Sequence, residues 1–126
     1  MPLNDKVPDY WYDLAAQDEE SAEILLRENG PRGICAYHYH QAAEKRLKGA
    51  ILERGSSFPF IHDLRRLYAI ARLGHPGFPD LSDAVEELQS MYADLRYPRE
   101  GVLDDRGLQN ARNACQAIAV AIFGKD

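Results

Sequence analysis

The chain has 126 residues, 45% of them hydrophobic and 28% charged, which suits one soluble globular domain spanning 1–126 with a real core. No run approaches the roughly 18 uncharged apolar residues of a membrane span, and "MPLNDKVPDYW" lacks the basic start and apolar middle of a signal peptide; no membrane role and a cytoplasmic location are expected. The net charge of −5 excludes a protein that coats nucleic acid nonspecifically.

Pro- and Gly-rich punctuation separates five helical segments. The first is expected from about Asp9 to Glu28, ending at "NGP", where Gly30 serves as C-cap and Pro31 opens the next. Its apolar stripe is Trp11, Leu14, Ala15, Ala22 and Leu25, with Asp18 in the middle. A carboxylate there is either paired in the interior or wet at a bundle edge. The second helix runs from about Arg32 to Arg54 and stops at Gly55. On a wheel of 100° per residue, Cys35, Ala36, Tyr39, Ala42, Ala43, Leu47 and Ala50 share one face, rich in alanine and suited to close helix approach. The opposite face gathers His38, Gln41, Lys45 and Lys48, flanked by Ile34, Tyr37 and Leu52. Such a helix sits centrally, packed on one side and lining a groove or subunit interface on the other.

After the loop "GSSFPF", a third helix is expected from about His62 to Leu73. The turn-dense "GHPGFP" leads to a fourth, starting at Asp80 or Ser82 and stopped by Pro98 after "DLRYP". Its stripe is Leu81, Val85, Leu88, Met91, Tyr92 and Leu95. The last helix begins near the N-cap Asp104 and buries Leu108, Ala111, Cys115, Ile118, Ala119 and Ile122. No strand-type alternation occurs, so an all-α bundle is expected. Cys35 and Cys115 belong to no C-x-x-C pair and read as small buried hydrophobes; no metal site or cofactor is expected.

Charge is unevenly spread. Residues 27–72 carry nine Lys/Arg against four Asp/Glu, which would suit a small anion or a short stretch of backbone phosphates. Lys45 and Lys48 repel at i,i+3, and an anion or nearby carboxylates would relieve this. Glu44 stands four residues before Lys48, so a solvated ion-pair face accounts for the same spacing.

The segments "AYHYHQAAEKRLKGAILERG", "FPFIHDLRRL" and "YADLRYP", in that order, resemble the HEPN family. The pattern takes in Gln41, Ala42, Glu44, Lys45 and Lys48, then His62, Asp63 and Leu64, then Arg96, Tyr97 and Pro98. The resemblance implies an up-and-down bundle of four to five helices, similar to the C-terminal domain of kanamycin nucleotidyltransferases. It also implies a homodimer that binds a nucleotide or RNA and partners a minimal nucleotidyltransferase in a toxin–antitoxin-like pair. The nucleotide-binding residues would be Gln41, Lys45, Lys48, His62, Asp63, Arg96 and Tyr97, the lysines on phosphate oxygens and Gln41 on base or sugar.

One branch of the family cleaves RNA without metal through a late Arg-x(4–6)-His motif, His as base and Arg for the developing phosphorane charge. Arg96 stands in the arginine position, but "YPREGVLDDRGL" follows it and no histidine lies beyond His75. Arg32 and His38 match the spacing at the wrong end of the domain, where chance accounts for it. A noncatalytic binding protein is therefore expected. The alternatives are an RNase toxin with a displaced histidine, for which His62, His38 and Arg96 are candidates, and a structural dimeric module whose lysines pair with acids across the interface.

Overall fold

The first helix, α1 (Pro8–Arg27), starts with Pro8 in its first turn, where no N–H is needed, and carries Asp9 there and Arg27 in its last turn. The structure is a computed structural model describing residues 5–73, 75–91 and 103–124. The turn after α1 corrects one expectation. Asn29, not Gly30, adopts the left-handed conformation (φ 57°). The Asn29 N–H donates to the Leu26 carbonyl at 3.3 Å and the Gly30 N–H to that of Leu25 at 2.7 Å, the paired bonds of a Schellman motif. Gly30 follows the cap, and a Cβ there would meet Leu25 Cδ2 at 2.6 Å.

α2 (Arg32–Glu53) ends as expected, with Gly55 at φ 79° and the Ser56 N–H returning to the Ile51 carbonyl. α3 (Leu64–Arg72) begins later than the sequence suggests, because Asp63 is its N-cap and accepts from the Arg65 N–H at 3.0 Å. α4 (Ser82–Ser90) opens after Asp80, whose carboxylate accepts from the Ser82 N–H. α5 (Asp105–Phe123) has the expected cap, Asp104 accepting from the Gly107 N–H at 2.8 Å. Among the described residues all regular structure is helical.

α2 is the hub, packing on α1, α3 and α5, while α4 bridges α3 and α5. The order of contacts sets direction. Moving up α1, Tyr12, Asp18 and Glu23 meet Glu53, Lys45 and Tyr39, so α1 and α2 are antiparallel. Arg32 and Arg46 meet Asp105 and Cys115, so α5 runs with α2. The connector 54–63 carries the chain back, and α3 also runs with α2: His62 lies by Glu44, and Arg54 donates to the Ala71 carbonyl. α4 opposes α3, with Leu64 by Gln89 and Tyr68 by Leu81.

The alanine-rich face of α2 lies in the core as its spacing requires, from Cys35 to Ala50. Gly49 leaves room for the Tyr12 ring of α1, because a Cβ there would fall 2.4 Å from it. Leu88, Cys115 and Ile118 join the same core, and Ile122 packs half-buried against it. Both cysteines are free thiols in the interior. Tyr92 and Leu95, expected beside them, lie outside the described residues.

Candidate functional site

The polar face of α2 meets two carboxylates. Asp18 of α1 lies 2.9 Å from His38 Nδ1 and also accepts from the Lys45 ammonium. This settles its place in the α1 stripe: Asp18 is paired, largely buried, at the seam between the helices. A turn along α2, Glu44 accepts through one oxygen from Lys48 Nζ at 3.0 Å, and the same oxygen lies 3.0 Å from His62 Nδ1.

The second cluster is deeper than the spacing suggests. The side chains of Glu44 and Lys48 are only 3% and 6% exposed. Lys48 Nζ lies over two rings, 5.1 Å from the Trp11 centroid and 5.4 Å from that of Phe58, which themselves pack edge to face. A buried ammonium is tolerable only with such partners: a carboxylate for its charge and ring faces in place of water. The sequence puts Lys48 on a face lining a groove or a subunit interface, whereas here it is buried within the chain itself. The ion pair with Glu44 exists, but it is internal rather than solvated. His62 closes the cluster from outside, 63% exposed with Nδ1 toward the carboxylate. His40 is buried nearby; burial pushes its pKa down to about 4, with the charge of Glu44 opposing the shift and that of His62 adding to it.

The remaining site residues divide. Gln41 donates to the Tyr37 hydroxyl at 2.7 Å, on the same face as Lys45. Asp63 caps α3 and takes no part in the seam. Arg96 and Tyr97 lie outside the described residues. The structure therefore brings Glu44, Lys48 and His62 together from two elements, and Lys45 with His38 around Asp18. Among the described residues no three His, Cys, Asp or Glu side chains gather as a metal site, and no described helix is long and apolar enough to cross a membrane.

Two features escape the sequence reading. Glu23 of α1 receives the Arg112 guanidinium of α5 in a two-nitrogen contact, at 2.9 and 3.2 Å, together with the Tyr39 hydroxyl. Those bonds hold the Glu23 carboxyl below its ordinary pKa, and burial with the same bond pushes Tyr39 upward. Beside it Arg46 bonds to Glu19 and approaches Cys115 Sγ at 3.6 Å. Glu19 and Glu23 at i,i+4 offered a signal, but only assembly of α1, α2 and α5 supplies their partners. The second feature is a cavity of about 450 Å³ between Trp11 and the connector aromatics Phe58 and Phe60. Phe58 and Phe60 open the second segment of the family pattern, but their spacing in the sequence gives no sign of a cavity.

Against known proteins, the model of the HEPN domain family matches residues 8–122, nearly the whole chain. No curated protein and no solved structure matches it.

Proposed function

The chain belongs to the HEPN family, and from that premise we propose that it is a noncatalytic, nucleotide- or RNA-binding bundle acting as partner of a minimal nucleotidyltransferase in a toxin–antitoxin-like pair. One observation carries the reading. Residues of the family pattern that lie far apart in the chain, Glu44 and Lys48 on α2 and His62 before α3, converge on a single carboxylate oxygen. Lys48 and Glu44 serve as the buried frame that fixes this corner. The groups open to a ligand are His62, the partly exposed Lys45 and His38, and Gln41. An incoming phosphate would compete with Asp18 for the Lys45 ammonium, so binding is expected to be modest and salt-sensitive.

The test is a thermal-shift and calorimetric screen of nucleotides and short RNAs against wild type and Lys45→Met. A ligand at 100 times its Kd should add about 2.7 kcal/mol of stability, and Lys45→Met should remove roughly 1.5–3 kcal/mol of binding if the charged hydrogen bond is made. Binding that is unchanged in Lys45→Met, or absent for every nucleotide and RNA, refutes the reading.

A second reading, RNA cleavage with His62 as base, is favoured by one feature. A buried carboxylate holds Nδ1 of an exposed imidazole, as in sites where an acid orients a general base. Cleavage of a single-stranded RNA that disappears in His62→Ala would select it. A homodimer is part of the proposal: Ile24, Ile34, Val120 and Phe123 are exposed apolar side chains, and sedimentation at micromolar concentration should give the dimer mass.

A further inference from the structure

The cavity of about 450 Å³ lies where the start of α1 meets the connector after α2. It falls within the roughly 300–1,000 Å³ of small-molecule sites. Trp11, Leu52, Phe58 and Phe60 supply apolar and aromatic lining, and Asp5 and Lys6 line it as well. Trp11 is pinned, its indole N–H donating to the Asp5 carbonyl at 2.8 Å and its ring packed against Phe58. Phe60 is the opposite case, 90% exposed beside this fixed wall. A phenyl ring so placed contributes little to folding and gains contact only when something fills the cavity.

The lining selects the occupant. One carboxylate and one ammonium balance, so the cavity offers no net charge to hold a polyphosphate. A planar, nearly neutral heterocycle suits it better. Aromatic rings accept stacked bases of any sequence, and the Asp5 carboxylate with the hydroxyls of Ser56 and Ser57, which also line the cavity, matches exocyclic amines and ribose hydroxyls. Lys48 biases the wall electronically. Its buried ammonium stands over the Trp11 and Phe58 rings without lining the cavity. It draws π density toward itself and leaves the other ring faces better partners for an electron-rich purine.

We infer that this cavity is a nucleobase pocket, taking a purine of a free nucleoside or of single-stranded RNA stacked between Trp11 and Phe60. The inference rests on the nucleotide- or RNA-binding reading above and adds that the base, held at this corner, supplies most of the contact.

Trp11 is the chain's single tryptophan, so its fluorescence reports on the pocket directly. Adenosine, AMP, ATP and a short oligoadenylate are titrated against the intact chain. Adenosine should quench the emission saturably and with the same affinity in Lys45→Met, because the cavity lining itself carries no net charge; any gain from adenosine to ATP should be lost in Lys45→Met. A free-nucleoside site binds adenosine as tightly as the oligomer; an RNA site prefers the oligomer. Phe60→Ala should weaken binding roughly 5- to 150-fold, the value of one stacked base, without moving the thermal midpoint of the free protein. Phe60→Leu should not restore it. Absence of saturable quenching, or wild-type affinity in Phe60→Ala, overturns the pocket. Wild-type affinity in Phe60→Leu overturns it too and points to an apolar protein segment as occupant. If affinity climbs with phosphate number, falls in Lys45→Met and ignores Phe60→Ala, the pocket fails while the binding reading survives. If nothing binds by any measure, both fail.

Discussion

Replacing Glu44 by Gln keeps the shape of a buried side chain and removes its charge. Lys48, 6% exposed at its side chain, then loses its counter-ion while its ammonium stays under Trp11 and Phe58. Breaking a buried pair by removing one partner costs about 3–5 kcal/mol. The ring contacts are present in both proteins and cancel, so a net loss of about 3 kcal/mol, the low end of that range, is expected. With a urea m-value of about 1–3 kcal/mol/M, the midpoint should fall by at least roughly 1 M at unchanged slope. Restoring neutrality with Glu44→Gln/Lys48→Met should recover most of the loss, since a matched apolar replacement of a buried pair is often neutral or stabilising. His62→Ala should move stability by less than about 1 kcal/mol, because its side of the contact is mostly in water. Urea titrations of these four proteins and of Lys48→Met read all of this. Single-mutant losses that simply add in the double mutant, within about 0.5 kcal/mol, would refute the buried, coupled pair.

Other consequences follow from burial elsewhere. His40 has a folded-state pKa of about 4 against an ordinary 6.5, so the folded state binds fewer protons; its contribution is complete above about pH 6.5 and is lost as pH falls toward 4, roughly 3 kcal/mol in all. The drop in urea midpoint over that window should flatten in His40→Gln, and an equally steep profile would assign it to other groups. Gly49→Ala gains up to about 1 kcal/mol of helix propensity but drives a methyl into the Tyr12 ring. Thermal denaturation should show a net loss of about 1–2 kcal/mol, relieved by adding Tyr12→Ala. Burial pushes the Cys35 and Cys115 thiols up to about 11 and about 12, so neither should react with a disulfide reagent at neutral pH until the protein unfolds. Rapid labelling of the native state would contradict that.

Helix type and most helix ends were legible in the sequence because their causes are local. Gly55 stops α2, Asp104 accepts a first free N–H group of α5, and the alanine spacing of α2 names its core face. Even locally, the left-handed residue is Asn29 rather than Gly30, whose missing side chain instead leaves room for Leu25. The site was half legible. Glu44 and Lys48 at i,i+4 announce an ion pair, but that spacing is identical on a wet face and in a sealed one. Trp11 from α1 and Phe58 from the connector seal it, and nothing near residue 48 encodes their arrival. Asp18 likewise could have been wet or paired until α1 packed antiparallel on α2 and set it against His38 and Lys45. Periodicity along one helix determines which side chains share a face. What covers that face, and so whether a lysine there can meet a ligand, is decided only when distant segments pack.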